Sequence, residues 1–335
     1  MNRTETETAT ASLHPEGLQP LGPAAIALTL LTVALWGGTP TAIKYSLDLL
    51  PVMAISAIRF AMAAVFMVIW CLLEGSSLKL RPEQRVPVLI FGVMLFLQIG
   101  LFTVAIELSN ASHSSLFINT FIFWVTGIEH FITRESRLTL RKIFGLVIAA
   151  VGVALILLTT GSGTEEESRN NLPNLTGDLV MLASGFVLGV KIIYTKHALK
   201  TVEPSKLIFW HNCIGVALFA LWSVLFERPD FSPFFSDKLL TDSTTRDAVL
   251  GLLYQGVVVA GFCFAVQAYL LKNHSASKIS VFSFATPLFG MSLAVMLRGD
   301  PLSPWLLVSG WCVAVGILLV NLSPRVSKNK NDRSL

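Results

Sequence analysis

Long apolar runs without charged residues dominate the chain and alternate with short polar segments. Eight such runs are 19 residues or longer. A helix needs roughly 20 residues to cross a hydrocarbon core about 30 Å thick. Two further runs, 52–73 and 177–195, qualify once Arg59, Asp178 and Lys191 are admitted. The pattern predicts an all-α integral membrane protein of about ten transmembrane helices.

Short connections separate most of the predicted helices. The helices are expected at residues 23–43, 52–73, 87–107, 114–132, 143–160, 177–195, 207–226, 248–271, 279–297 and 304–322. The polar segment between the fifth and sixth helices divides the chain into two halves of five helices each. The predicted organisation is a cytoplasmic N-terminal tail (1–22), a first repeat (23–160), a polar linker (161–176), a second repeat (177–322) and a basic cytoplasmic tail (323–335).

The two halves repeat each other in sequence. The segment Leu108–Phe121, rich in Ser and Ala, aligns with His274–Pro287 at a constant offset of 166 residues. Because each half holds an odd number of helices, the second copy enters the membrane in the opposite orientation, as in inverted-repeat transporters. We therefore expect two five-helix repeats of inverted topology.

Charge placement supports this topology independently. With the N-terminus in the cytoplasm, 17 lysines and arginines fall in the predicted cytoplasmic segments and 6 on the opposite side. Such a bias sets the orientation of membrane proteins. We expect a multi-pass protein of the plasma (inner) membrane with both termini in the cytoplasm.

Composition excludes several function classes. Apolar side chains make up 53% of the 335 residues and charged ones 14%, and most runs have no charged face, unlike the helices of a soluble protein. The sequence has no basic cluster with interleaved aromatics and so gives no sign of nucleic-acid binding. It also has no phosphate-binding loop and so gives no sign of ATP hydrolysis. The four cysteines lie inside apolar runs without metal-ligand spacing, so we predict neither a metal nor a cofactor.

Charged groups inside the predicted spans need a reason, because burying a charge in hydrocarbon is costly. Arg59 is interpreted as an internal anchor of its helix, and His211 is its counterpart in the second half. Lys191 either extends to the headgroups or binds an anionic substrate group. Glu107 and Glu129 are either interfacial or couple transport to a proton. His113, at a loop edge, is expected to be solvated.

Two prolines and several uncharged polar groups complete the candidates for the substrate path. Pro40 and Pro287 break their helices, and the freed carbonyls either line a path or only fit the packing. The glutamine and asparagine side chains within the spans either bind a polar metabolite or form hydrogen bonds between helices. The substrate-path candidates are Trp36, Thr39, Pro40, Gln98, Asn119, Lys191, Tyr254, Gln255, Gln267, Thr286 and Pro287; the structural or coupling candidates are Arg59, Glu107, Glu129 and His211.

Several of these motifs occur together in one known family. Ala34–Lys44, then Leu50-Pro51 and Ala57–Phe60, with Thr286-Pro287 in the second half, resemble the EamA family of the drug/metabolite transporter superfamily. Phe121 stands where the family usually has proline. The resemblance implies a central cavity lined by helices one, three, four, six, eight and nine, and export of an amino acid, a related metabolite or a drug.

The sequence as a whole predicts a secondary transporter that works by alternating access and not an enzyme. Its expected partners are a small-molecule substrate, the lipid bilayer and, where transport is coupled, a proton. A polytopic membrane enzyme and a receptor or scaffold are the alternatives. The oligomeric state does not follow from the sequence.

Overall fold

The computed structural model describes residues 22–132, 139–159, 173–235, 242–273 and 281–321. All ten predicted helices are present. In the first half they are α1 (Pro23–Gly37 and Thr39–Leu47), α2 (Val52–Glu74), α3 (Pro82–Leu108), α4 (Ala111–Phe117, a 3₁₀ turn Ile118–Thr120, and Phe121–Phe131) and α5 (Leu140–Thr159). In the second half they are α6 (Leu175–Ala198), α7 (Pro204–Trp222, continued as a π-helix by Ser223–Glu227), α8 (Ser243–Leu253, a π-helix Tyr254–Cys263, and Phe264–Asn273), α9 (a 3₁₀ turn Val281–Ala285, then Thr286–Arg298) and α10 (Pro304–Asn321).

The lengths of these helices fit a membrane. Among the described residues, six helices are long and apolar enough to span one, namely α1, α2, α3, α6, α7 and α8, and α9 and α10 are shorter apolar helices. Large apolar side chains such as Leu73 and Leu158 are 84% and 86% exposed. A soluble protein does not cover its surface in this way, so these side chains face lipid and the chain is an integral multi-pass membrane protein.

The packing of the helices repeats the sequence duplication. Helix α3 packs against α6, and its equivalent α8 packs against α1. Likewise, α4 packs against α6, and the equivalent contact is that of α9 with α1. Helix α3 also packs against α7, and the equivalent contact is that of α8 with α2. In three cases a helix contacts its own equivalent in the other half: α2 contacts α7, α4 contacts α9, and α5 contacts α10. Each half therefore buries its surface mainly against the other, and the seam between them runs through the whole bundle.

The polar ends of the helices fix their positions. Glu227, at the end of α7, accepts hydrogen bonds from the backbone N–H groups of Met53 (2.8 Å) and Ala54 (3.0 Å) at the start of α2. A carboxylate at a helix N-terminus satisfies donors that have no partner within the helix. Helix α3 begins at Pro82, earlier than the predicted residue 87, because its first turn is polar and hydropathy alone does not detect it.

Helix α4 is interrupted by a 3₁₀ turn, and the described part of α9 begins with one at the equivalent position. At the offset of 166 residues, the 3₁₀ turn Ile118–Thr120 of α4 corresponds to the end of the 3₁₀ turn that precedes Thr286-Pro287 in α9. The first half makes this break without a proline. Asn119 Nδ2 donates to the carbonyl of Ser115 (2.7 Å) and Thr120 Oγ1 donates to that of Phe117 (2.7 Å). Side chains that bond backbone carbonyls in this way compete with regular helix geometry.

Candidate functional site

Four polar side chains from four different helices come together inside the bundle. Arg59 belongs to α2, Gln98 to α3, Lys191 to α6 and His211 to α7. Their exposed fractions are 3%, 3%, 8% and 3%. Because α2 and α3 belong to the first half and α6 and α7 to the second, the seam between the repeats passes through this set. We call these four residues the interhelical cluster.

Lys191 is held in the interior by an amide. Its Nζ donates to Gln98 Oε1 at 3.1 Å. Ser184 Oγ donates to the backbone carbonyl of Gln98 at 3.0 Å and accepts from Gln98 Nε2 at 3.4 Å. These bonds fix the orientation of the amide, with its oxygen toward the ammonium. Of the two alternatives for Lys191, extension to the headgroups does not fit this geometry.

Arg59 is a buried cation whose donors are not satisfied. Its Nε and Nη1 atoms are fully buried and have no hydrogen-bond partner among the described residues. The nearest aromatic contact of its guanidinium is the ring of Phe60, 5.1 Å from the Cζ atom. Among the described residues, no hydrogen bond from Nε or Nη1 supports the interpretation of Arg59 as an internal anchor of its helix. The unsatisfied donors identify Arg59 as a candidate binding group, because burying them without a partner is costly.

His211 lies beside these cations in an aromatic setting. Its ring stacks on Phe91 with centroids 4.4 Å apart and contacts the edge of Phe60 at 6.3 Å. Its Nδ1 is 3.1 Å from Asn212 Oδ1. His211 Nε2 and Asn212 Nδ2 are buried without a hydrogen-bond partner in the described part of the chain. Both groups therefore remain available to a ligand.

The charges of the cluster are of one sign. Lys191 lies within electrostatic range of Arg59 and of His211. Neither Arg59 nor Lys191 has an ion pair with a described carboxylate. The cluster therefore presents two cations, an amide and an imidazole, and among the described residues no anion that balances them.

A second group of predicted residues lies around the break in α1. The helix is interrupted at Gly38, and the carbonyl of Leu35 accepts from the backbone N–H of Gly38 (3.2 Å) and from the hydroxyl of Tyr254 (2.5 Å). A Cβ atom at Gly38 would lie 2.6 Å from that hydroxyl, so only glycine allows this approach. Gln255 Nε2 donates to Ala42 O (3.1 Å) and to Ser46 Oγ (2.8 Å). These contacts join α1 to α8 across the seam.

The remaining substrate-path candidates near this break are dispersed. Thr39 and Pro40 are buried, and the half-buried Trp36 contacts Phe264 edge to face at 6.2 Å. In α9, Pro287 is buried and Thr286 is half-buried. Asn119 of α4 and the half-buried Gln267 of α8 are not in contact with the interhelical cluster by any described hydrogen bond. The structure thus separates the candidates into the interhelical cluster, the α1–α8 contact and isolated positions.

Of the two glutamates proposed for coupling, the structure describes the side chain of one. The side chain of Glu107 is exposed, and its backbone carbonyl accepts from Lys44 Nζ at 3.4 Å. Glu129 lies in α4, but its side chain is outside the described residues. The exposure of Glu107 fits the interfacial interpretation better than a buried proton carrier.

The prediction for one polar group, the side chain of His113, was wrong. His113 is buried, not solvated as predicted: its Nδ1 is 2.8 Å from Asp178 Oδ2, and Ser109 Oγ donates to Asp178 Oδ1 at 2.8 Å. Asp300 accepts from the backbone N–H of Ser112 at 2.8 Å. Carboxylates from α6 and from the loop after α9 therefore hold the entry to α4. The signal in the sequence was Asp178 itself, a carboxylate within a predicted span.

A cavity of about 660 Å³ lies at one end of the bundle, between the α2–α3 loop and the start of α7. Basic residues line it, among them Lys79, Arg81 and Arg85. Its carboxylate, Glu203, is 2.8 Å from Lys206, and this hydrogen bond lowers the pKa of the Glu203 carboxyl below its ordinary value. None of the predicted site residues lines this cavity.

Known proteins resemble this chain over nearly its whole length. The uncharacterized transporter YoaV of Bacillus subtilis is 22% identical over 296 residues, which cover 88% of this chain and 96% of the relative. The probable amino-acid metabolite efflux pump of Salmonella typhimurium is 25% identical, covering 87% and 93%. A solved crystal structure has a TM-score of 0.62 at 18% identity and covers 89% of this chain and 97% of that one, a likeness that concerns the fold alone.

The family profile is the decisive comparison. The EamA-like transporter family matches residues 23–158 and again residues 175–322. The two matches fall on the two halves that the sequence repeat and the packing define independently. Together they cover more than half of the chain. The chain belongs to the EamA-like transporter family.

Proposed function

We propose that this transporter is a secondary exporter that moves a small polar metabolite by alternating access. The observation that carries the proposal is the interhelical cluster: polar groups of both halves meet at the seam in the interior of the bundle. Rocking of one five-helix half against the other would expose such a seam to each side of the membrane in turn. The similarity to a probable amino-acid metabolite efflux pump supports export.

The proposed path differs in part from the one that the family resemblance implies. The cluster lies on α2, α3, α6 and α7, whereas the expected cavity helices were one, three, four, six, eight and nine. Helices α3 and α6 belong to both sets. The breaks in α1 and α4, and the 3₁₀ turn at the start of the described part of α9, lie on helices of the expected cavity, and we propose that they provide the hinges of the rocking motion.

The test is accumulation in proteoliposomes. Vesicles with and without the protein are incubated with a bacterial metabolite extract, with and without a gradient of one pH unit, and their contents are measured by mass spectrometry. A proton-coupled carrier accumulates its substrate by up to about tenfold per coupled proton at this gradient. Accumulation that a protonophore abolishes is expected. If no metabolite enters faster than into protein-free vesicles, the proposal is wrong.

We also propose the domain division and orientation predicted from the sequence, in a plasma (inner) membrane and with both tails in the cytoplasm. In a background without the four native cysteines, Lys142→Cys places a thiol in the first turn of α5, and Leu302→Cys places one in the loop just before its equivalent, α10. An impermeant maleimide should label Leu302→Cys in intact cells and Lys142→Cys only after permeabilisation. Labelling of both thiols from the same side would contradict inverted repeats.

A further inference from the structure

We infer that the interhelical cluster binds an anionic group of the substrate, and that the substrate is an organic anion without an ammonium group beside it. The inference rests on the proposed function, because it names the substrate class of that same site. It is carried by the geometry of Arg59, Lys191, Gln98 and His211.

The first step is the burial of two cations. Arg59 is 3% and Lys191 8% exposed, and the cluster is surrounded by helices that are themselves surrounded by lipid. A buried cation is stable only when an opposite charge or a full set of acceptors compensates it. The amide oxygen of Gln98 serves Lys191 alone, and no described carboxylate compensates either cation. An anionic group of a ligand would supply the missing compensation.

The second step is the set of unused donors. Nε and Nη1 of Arg59 have no acceptor. The ammonium of Lys191 has three donors, of which one is used by Gln98. His211 Nε2 and Asn212 Nδ2 are also without partners. A guanidinium fork within electrostatic range of an ammonium matches the oxygens of a carboxylate, phosphate or sulfonate group.

The third step separates anions from zwitterions. An α-amino acid carries an ammonium group next to its carboxylate, and the cluster offers that ammonium two cations and, in the described residues, no carboxylate. Repulsion would offset much of the attraction for the carboxylate. A neutral drug would leave both buried cations uncompensated. Dicarboxylates, phosphorylated metabolites and sulfonates therefore fit this site better than amino acids do.

The test measures binding directly and does not require transport. Purified protein in detergent is titrated with sodium phosphate, succinate or methanesulfonate, each matched in ionic strength with sodium chloride, and its apparent melting temperature is recorded. Neutral succinamide and zwitterionic alanine serve as uncharged and zwitterionic controls. We expect a saturable rise with at least one of the three anions and none with succinamide or alanine.

Variants assign the effect to the cluster. Lys191→Gln removes one charge. It should raise the anion concentration needed for half of the maximal effect by at least about tenfold, because one charge-assisted hydrogen bond is lost. Lys191→Arg should restore most of the effect, and Lys200→Gln, an exposed lysine just after the same helix, should leave it unchanged. If other substitutions at Arg59 prevent folding, Arg59→Lys is the variant that keeps the positive charge at this position.

The outcomes separate this inference from the proposed function. A saturable anion effect that Lys191→Gln weakens supports the inference even if no flux is found, in which case only the proposed transport is wrong. Absence of a saturable rise with all three anions, an equal rise in Lys191→Gln, or a larger rise with alanine would overturn it. Transport of an amino acid that succinate and phosphate do not inhibit would also overturn it while leaving the proposed transport intact.

Discussion

Replacement of Gly316 by leucine should destabilise the protein by about 3 kcal/mol or more. Helices α5 and α10 cross at this glycine with almost nothing but backbone between them. A Cβ atom at Gly316 would lie 2.5 Å from both the carbonyl oxygen of Gly145 and the Cβ of Ala149. A Cβ at Gly145 would in turn lie 2.8 Å from the carbonyl oxygen of Gly316. Backbone atoms cannot move aside as the end of a long side chain can, so the helices must separate.

The loss is measured as the apparent melting temperature in detergent and as the monodisperse fraction on size exclusion. The matched control is Gly127→Leu in α4, where no heavy atom lies within 4 Å of the added Cβ. This control should melt near the wild type. Equal melting of the Gly316→Leu variant and the control would show that the α5–α10 contact is not a tight backbone contact, contrary to the small-residue packing found between membrane helices.

The second large effect is expected from Asp178→Ala. This carboxylate, 1% exposed, accepts from Ser109 Oγ and pairs with His113 Nδ1, both at 2.8 Å. Its removal leaves the hydroxyl of Ser109 and Nδ1 of His113 buried without this partner, at a cost of about 1–3 kcal/mol for each group. We expect the entry to α4 to loosen and the apparent melting temperature to fall accordingly.

An exposed pair provides the comparison. Asp247 lies 3.7 Å from Arg246, and both side chains are at least 40% exposed. Such pairs contribute between 0 and about 1 kcal/mol, so Asp247→Ala should change the melting temperature little. Asp178→Asn keeps an acceptor for Ser109, so its apparent melting temperature should lie between those of the two alanine variants. A loss for Asp178→Ala no larger than that for Asp247→Ala would mean that the buried group does not stabilise the fold.

The fold was predictable because lipid imposes a simple rule on sequence. A segment in hydrocarbon must satisfy its own backbone and carry apolar side chains, and this rule can be applied to each stretch of the chain separately. The ten helices follow from this rule, whereas the duplication follows from the aligned segments and the break near Pro40 from the proline itself. The start of α3 was missed because Glu83, Gln84 and Arg85 form a polar turn outside the apolar run.

The candidate site was predictable only as a set of unconnected residues. Gln98, Arg59, Lys191 and His211 each stood out as polar groups within spans. That Lys191 reaches Gln98, 93 positions earlier in the chain, depends on the rotation of α6 against α3. In helices that are apolar on all sides, hydropathy gives no preferred face and therefore no rotation. For the same reason, the burial of His113 against Asp178 was not foreseen.

The sequence alone determined that the chain is a membrane bundle of two inverted repeats of the EamA type, since hydropathy, charge bias and duplication are local or one-dimensional properties. Tertiary structure decided which polar groups share an environment: two cations meeting at the seam, a tyrosine hydroxyl closing the break in α1, and a carboxylate holding the entry to α4. Interactions of this kind depend on distances between helices far apart in the chain, and only the packed bundle defines those distances.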